Sequence, residues 1–320
     1  MDLLADDDAI HGRTWVFRHD GREQDANGTG ETRSGSQTVP PRDVEVLPGK
    51  RGTVLRGKWS QELRKHVAEL LPSMLNSSVA STGRKLLMID VGANVGQILP
   101  FYRSLLKGYD SELFLFEPNP SNFQKPVQLS RHQMDVKAVH SAVSDQEGIA
   151  HFDFGFAKHP KNEQGNQHGH LTKVSNGNHT LEVPVNTLDA LMEPHLKKGT
   201  EVIYLKSDTE GFDYRAMRGA KNVVSHTRIY LFECHKLQRL ARSTHRMTSV
   251  FLGEQSFDVY KLSPAQLVLF GDEFYNRLVD RKKFMGWQNC VAIHRLDPVH
   301  PLLFARLNHL KPCSWDGVHL

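Results

Sequence analysis

The stretch Met88–Gln97, MIDVGANVGQ, constrains the fold of this chain more than any other. An apolar run of strand character ends at Asp90, and the chain then turns through two glycines, Gly92 and Gly96. A segment suited to an apolar helix, 97–107, follows the turn. A strand, a glycine turn and a helix in this order are typical of the ligand-binding edge of a parallel sheet. The sequence therefore predicts a binding site at this turn, where glycine clears space for a ligand.

Apolar runs of strand length recur along the rest of the chain. They lie at 86–91, 113–116, 136–143, 202–206 and 229–233, with further short strands at 151–154, 181–185, 257–262 and 289–294. Segments that suit helices, such as 97–107 and 213–224, lie between several of them. This alternation predicts an α/β fold with a mostly parallel sheet and helices on both faces.

Composition along the chain divides it into four parts. Residues 1–50 are polar and predict a mostly disordered segment. An N-terminal helical region, 51–83, contains apolar residues at helical spacing that predict a helix at 58–75. The main domain is predicted at 84–295, and residues 296–320 are predicted to form a loosely attached C-terminal tail.

The net charge and the cysteines of the chain indicate which kinds of partner and which cellular compartment to expect. A net charge of +4 over 320 residues gives no reason to expect a nucleic-acid partner, and none is predicted. No apolar run reaches the length of a membrane span, and the acidic start does not resemble a signal peptide. The cysteines are odd in number and far apart, at Cys234, Cys290 and Cys313. They predict no disulfide framework, and hence a reducing, cytoplasmic location.

The charge at the turn indicates which ligand it suits. The pattern D-x-G-x-x-x-G lacks the middle glycine of a dinucleotide site, and its Asp90 would repel a phosphate. The next strand ends at Glu117, whose carboxylate can accept hydrogen bonds from both hydroxyls of a ribose. S-adenosylmethionine carries an ammonium and a sulfonium but no phosphate, so it is favoured over NAD. An NAD(P)-dependent oxidoreductase on a similar sheet remains the alternative.

Several motifs occur in a fixed order: IDVGANVGQ, FEPNP, AVSD, VPVNTLDALM, KSDTEGFDYRAMRGA and IYLFECH. Together they resemble the FkbM family of S-adenosylmethionine-dependent methyltransferases over residues 84–235, and more weakly to about 294. The resemblance implies a class I methyltransferase (Rossmann-like) fold, whose seven-stranded sheet has an antiparallel last strand. Such enzymes typically methylate hydroxyl groups on sugars, polyketides and other small molecules. The chain departs from the family pattern at Ser207, where an apolar residue is usual, and at Asp213, where glutamate is usual.

The resemblance also assigns a cofactor site to the tips of the first three strands. The implied cofactor-binding residues are Asp90, Gly92, Asn94, Gly96, Glu117, Val143 and Ser144. The first four would form the turn at the methionine, Glu117 would hold the ribose, and the last two would border the adenine.

Methyl transfer to a hydroxyl needs alignment of the reacting atoms and benefits from a general base. Asp208, followed by Glu210 in the SDTEG segment, is the first candidate for that base or for orienting the acceptor. His235 is the second candidate. In the alternative interpretation, Asp208 and Glu210 only brace the turn. Cys234 is predicted to be a core residue and not a nucleophile.

The polar stretch 157–180 predicts a long loop that either forms part of a lid or rim over the acceptor pocket or is simply disordered. Its histidines, His159, His168, His170 and His179, lack acidic or cysteine partners at familiar spacing, so no metal site is predicted. The expected function is S-adenosylmethionine-dependent O-methylation of a small molecule or carbohydrate. A non-catalytic module that retains the fold remains a further alternative.

Overall fold

Strands and helices alternate along most of the described chain, as the sequence predicts. The structure is a computed structural model that describes residues 61–70, 75, 84–153, 169–172, 180–196, 200–234, 241–262, 267–269 and 289–308. The strands are β1 (Leu86–Val91), β2 (Ser111–Phe116), β3 (Val136–Val139), β4 (Ala142–Val143), β5 (Gly148–Asp153), β6 (His170–Thr172), β7 (Thr180–Asn186), β8 (Glu201–Ser207), β9 (Thr227–Glu233), β10 (Phe257–Leu262), β11 (Leu267–Leu269) and β12 (Asn289–His294). The helices are α1 (61–70), α2 (Leu99–Leu106), α3 (Pro120–His132), α4 (Leu188–Leu196), α5 (Asp213–Arg218), α6 (Lys221–Ser225), α7 (His245–Gly253) and α8 (Val299–Asn308). None of the described helices is both long enough and apolar enough to cross a membrane. The disorder predicted for 1–50 concerns residues outside the described ranges.

The main sheet has the strand order β11-β10-β12-β9-β8-β1-β2-β3. Strands β9, β8, β1, β2 and β3 are parallel, whereas β12 is antiparallel to both of its neighbours. Without the edge strand β11, this is the predicted seven-stranded class I methyltransferase sheet, in which the last strand along the chain is antiparallel. The sequence did not predict β11.

A second sheet, with the order β4-β7-β5-β6, was not predicted either. The single strand expected at 136–143 is divided between the two sheets, because the Ser141 amide donates to the Val139 carbonyl and the chain bends there. As a result β3 pairs with β2 in the main sheet, while β4 pairs with β7 in the second.

The core lies on both faces of the main sheet. All six residues of β1 are buried, which explains why this strand reads as a continuous apolar run. Alternate residues point to opposite faces: Leu86 and Met88 join one apolar cluster, while Leu87, Ile89 and Val91 join the other. The first cluster includes residues of α1, α2 and α8, and the second includes residues of α4, α5 and α6. Helices therefore cover both faces, as predicted.

A disulfide joins Cys234 to Cys290, which are both buried and have Cα atoms 5.8 Å apart. The prediction of no disulfide is wrong for this pair. The antiparallel pairing of β9 with β12 places Cys290 opposite Phe232, two residues before Cys234. Because 56 residues separate the cysteines along the chain, their spacing did not reveal this proximity. Cys234 is nevertheless a core residue, as expected.

The prediction of a loosely attached tail is wrong for residues 299–308, which form α8. Val299, Leu303 and Leu307 follow one another at intervals of four residues and are buried in the first core cluster. Arg306 in the same helix forms an ion pair with Glu69 of α1, with 2.6 Å between Nη1 and Oε2. Residues 309–320 lie outside the described ranges.

Candidate functional site

The carboxyl ends of β1, β2, β8 and β9 open onto one cavity of about 380 Å³. Ligands of open α/β sheets bind at this edge, because parallel strands end there together. Four of the predicted site residues with acidic side chains line it, namely Asp90, Glu117, Asp208 and Glu210. The second sheet contributes Phe152 and Leu171 to the wall. The acids predicted for the cofactor site and those predicted for the acceptor site therefore line the same cavity.

The glycine turn is shaped by the protein's own packing. Gly92 and Gly96 both have φ of 79°, and Asn94 between them has φ of 51°, so all three lie in the left-handed region. A Cβ atom on Gly92 would lie 2.1 Å from the carbonyl oxygen of Asp208, and one on Gly96 would lie 2.6 Å from the Leu129 side chain. The glycines thus make room for neighbouring protein atoms and not, as expected from the sequence, for a ligand. Gly92 and Asn94 line the cavity, whereas Gly96 is not among the lining residues.

Glu117 is held by two backbone amides at the tip of β2. Its Oε2 accepts the Asn94 N–H at 2.7 Å, and its Oε1 accepts the Asn119 N–H at 2.9 Å. The side chain is only 4% exposed, and burial raises its pKa to about 7 although both hydrogen bonds oppose the rise. Each carboxylate oxygen has a second lone pair that these contacts do not use. The ionised side chain therefore retains the capacity to accept hydrogen bonds from a ribose.

Asp90 is paired inside the protein. Lys206 Nζ lies 2.9 Å from Asp90 Oδ1 and 3.5 Å from Asp208 Oδ2. Burial raises the pKa of Asp90, and the Lys206 charge opposes this rise. Burial alone would lower the pKa of Lys206, but the Asp90 and Asp208 carboxylates raise it above its ordinary value. Asp90 thus does not face the cavity as a lone anion. Lys206 is a site residue that the sequence analysis did not identify, although it directly precedes the SDTEG segment.

Three carboxylates gather where β8 and β9 end. One carboxylate oxygen from each of Asp208, Glu210 and Glu233 lies within 4.8 Å of the other two, close enough for one cation to contact all three. Burial, followed by the charges of Asp208 and Asp213, raises the pKa of Glu210 to about 8. Burial and the same two charges raise the pKa of Glu233 far above its ordinary value. The cluster therefore holds protons at neutral pH.

Glu233 was not predicted as a site residue. Its signal was the same as that of Glu117, a glutamate at the end of an apolar strand of the main sheet. The sheet order places β9 next to β8, so Glu233 reaches the cavity beside Asp208.

The two departures from the family pattern contact each other. Ser207 Oγ donates to Asp213 Oδ1 at 2.6 Å, and the Tyr230 hydroxyl donates to Ser207 Oγ at 3.0 Å. All three residues are buried. Ser207, where the family usually has an apolar residue, thus donates a hydrogen bond to the buried Asp213, where the family usually has the longer glutamate.

The residues that follow β3 line the cavity, but the lining residues end at Val143 and do not include the predicted Ser144. Val143 lines it together with Ser141 and Ala142, whereas Ser144 lines a neighbouring cavity. The Ser144 amide donates to the Asn186 carbonyl at 3.0 Å, which continues the pairing of β4 with β7. The adenine-bordering role therefore fits residues 141–143 better than Ser144.

His235 lies outside the described residues, and so do His159, His168 and His179 of the predicted loop. His170 lies in β6. Two further lining residues that the sequence did not suggest are Arg64 of α1 and Asn289 of β12.

Solved structures of several methyltransferases are similar to this chain at low identity. The methyltransferase FkbM from Methylobacillus flagellatus KT is 14% identical with a TM-score of 0.39, over 65% of this chain and 43% of that one. The precorrin-6y C5,15-methyltransferase from Geobacter metallireducens GS-15 is 11% identical with a TM-score of 0.34, over 77% and 92% of the two chains. The magnesium protoporphyrin IX methyltransferase from Synechocystis PCC 6803, solved with bound SAM, is 11% identical with a TM-score of 0.31, over 77% and 86%. This chain thus spans less than half the length of the Methylobacillus protein.

No curated protein sequence matches the chain. The family described as the methyltransferase FkbM domain matches residues 90–259, which is more than half of the 320 residues. The match begins at Asp90 and includes Glu117, the SDTEG segment and Glu233. The chain belongs to the FkbM methyltransferase family.

Proposed function

We propose that this protein transfers a methyl group from S-adenosylmethionine to a hydroxyl of a small molecule or carbohydrate. The observation that carries the proposal is the single cavity that joins Glu117 and the glycine turn to the carboxylates of Asp208, Glu210 and Glu233. One end suits an adenosine and the other suits proton transfer.

The cofactor end is built from residues that suit an adenosyl group. Glu117 has acceptor capacity for the ribose hydroxyls, and Ala142 and Val143 provide an apolar wall for the adenine. The Asp208 carboxylate in the lining can accept hydrogen bonds from an ammonium, and the glycine turn lacks the G-x-G-x-x-G pattern that holds a pyrophosphate. When bound, S-adenosylmethionine supplies an electrophilic methyl group on its sulfonium.

The acceptor end provides a place for the proton that the hydroxyl loses. Asp208 lines the cavity and has the most exposed side chain of the three clustered acids, at 39%, so it is the proposed base. It accepts the hydroxyl proton while the new oxygen–carbon bond forms and the carbon–sulfur bond breaks with its electrons passing to sulfur. Glu210 and Glu233 hold protons nearby, which keeps the cluster from carrying three full charges.

Calorimetry with S-adenosylhomocysteine tests the cofactor assignment. The wild-type protein should bind it, and Glu117→Gln should weaken binding about tenfold or more, because hydrogen bonds to a charged acceptor are lost. Glu112→Gln is the matched control, since it makes the same change at the start of the same strand and should leave affinity unchanged. Absent binding by the wild type, or equal affinities of wild type and Glu117→Gln, would contradict the proposal.

A methyl-transfer experiment with a labelled donor identifies the acceptor molecule. The protein is incubated with an isotopically labelled methyl donor and an extract of its source, and the labelled product is characterised by mass spectrometry. A methyl ether is the expected product, and Asp208→Asn should lower its rate of formation by about a hundredfold or more. A methylated nitrogen in the product would instead revise the acceptor class while leaving the cofactor assignment intact.

A further inference from the structure

The cavity contains a cationic residue that lies outside the family match. Arg64 and Gln61 of α1 line it together with the glycine-turn residues Gly92, Ala93 and Asn94. The family match begins at residue 90, so α1 is not part of it.

Helix α1 is firmly attached at this position. Leu63 and Val67 are fully buried in the core cluster that also contains Met88 of β1 and Tyr204 of β8. The ion pair between Glu69 and Arg306 joins the same helix to α8. Arg64 is therefore presented to the cavity from a helix that packs on the sheet.

Among the described residues that line the cavity, two carry a permanent positive charge, Arg64 and Lys206. The Lys206 ammonium already forms ion pairs with Asp90 and Asp208. Arg64 forms no hydrogen bond and no ion pair with any residue in the described part of the chain, and it is half-buried. A guanidinium in such a position is available to a ligand.

The proposed cofactor has one anionic group that needs a cationic partner in this cavity. Its α-carboxylate would enter a hollow that already contains Asp90, Glu117 and the three clustered acids. A guanidinium matches a carboxylate with two parallel hydrogen bonds, which a point-charge ammonium cannot do. The charge of Arg64 acts to lower the pKa of Asp90, which directly precedes the glycine turn, so Arg64 lies near the end of the cavity where the methionine part of the cofactor is expected.

We propose that Arg64 binds the α-carboxylate of the methionine part of the cofactor, which makes α1 part of the cofactor site. This inference rests on the proposed function, and it assigns a role to a residue and a helix beyond the family match.

Two ligands that differ in the amino-acid part test this inference by calorimetry. S-adenosylhomocysteine carries the carboxylate, whereas 5′-methylthioadenosine has the same nucleoside and thioether without the amino-acid end. Arg64→Met should weaken binding of S-adenosylhomocysteine tenfold to a hundredfold and leave that of 5′-methylthioadenosine within twofold. Arg64→Lys should lie between wild type and Arg64→Met, since it keeps the charge and loses the planar fork.

Lys65→Met is the matched control, because Lys65 is the next residue of α1 and is exposed to solvent. It should leave both affinities unchanged. Equal S-adenosylhomocysteine affinity of wild type and Arg64→Met would overturn the inference, and so would an equal loss for both ligands, which would indicate general damage to the site. If the wild type binds neither ligand, the cofactor assignment itself fails, so the two failures are distinguishable.

Discussion

At the scale of single residues, Glu117 shows how burial and backbone hydrogen bonds together set the pKa of an acid in the proposed cofactor site. Two backbone amides fix its carboxylate, and the tip of β2 withdraws it almost completely from solvent. Burial outweighs the amides, so the side chain titrates near pH 7 instead of near 4.5. Its charge state therefore changes in the physiological range.

Cofactor affinity should depend on pH through this residue. If the ionised form of Glu117 accepts the ribose hydroxyls, the fraction of the protein that can bind the cofactor falls as the pH drops below about 7. The dissociation constant for S-adenosylhomocysteine should then be about tenfold higher at pH 6 than at pH 8. Calorimetry at the two pH values measures this directly, and Glu117→Gln should flatten the dependence. A wild-type affinity that is the same at both values would show that Glu117 does not control binding.

At the scale of elements, the strands could be predicted well but their partners could not. The predicted strands 257–262 and 289–294 coincide with β10 and β12, because a short apolar run is a local signal. The order in which strands pair is not local, since β12 inserts between β9 and β10. The sequence therefore did not show that Cys290 would meet Cys234, or that Glu233 would lie beside Asp208.

The disulfide should contribute measurably to stability. It closes a long loop between β9 and β12, which restricts the unfolded chain, and its loss should lower the free energy of unfolding by about 2–4 kcal/mol. Urea denaturation of a double variant, Cys234→Ser with Cys290→Ser, measures the effect against Cys313→Ser as the control. Equal stability of the double variant and the wild type would mean that the cross-link adds nothing to the packing of the two strands.

At the scale of the whole molecule, the proposed cofactor half of the site was more predictable than the proposed acceptor half. Asp90 and Glu117 are recognisable because each lies within one residue of the end of a strand, where the sequence pattern places a ligand site. The acceptor half depends on charges brought together by folding, such as the contact of Lys206 with Asp90 and that of Glu233 with Asp208. Residue types alone do not reveal which of these acids stay protonated.

The acid cluster should make the whole protein less stable as the pH rises. Glu210 has a pKa of about 8 in the folded protein against an ordinary value of 4.5, so between these values the folded state binds more protons than the unfolded state. Stability is therefore lost as the pH rises through about 8. Urea denaturation should give a free energy of unfolding about 1–3 kcal/mol lower at pH 8 than at pH 6.

Glu210→Gln should reduce that difference, because the amide resembles the protonated acid and does not titrate. Glu182→Gln controls for the substitution, since Glu182 is exposed in β7 and forms no ion pair with the described residues. If the wild type and Glu210→Gln lose the same stability between pH 6 and pH 8, Glu210 is not the source of the effect.

The position of β12 has a practical consequence for handling this protein. The family match stops at residue 259, inside β10, whereas β12 lies between β10 and β9 in space. A fragment excised at the boundaries 90–259 would keep two strands whose shared neighbour had been removed, leaving their backbone groups open to other chains. The segment that the family match covers is thus shorter than the segment whose strands complete the main sheet.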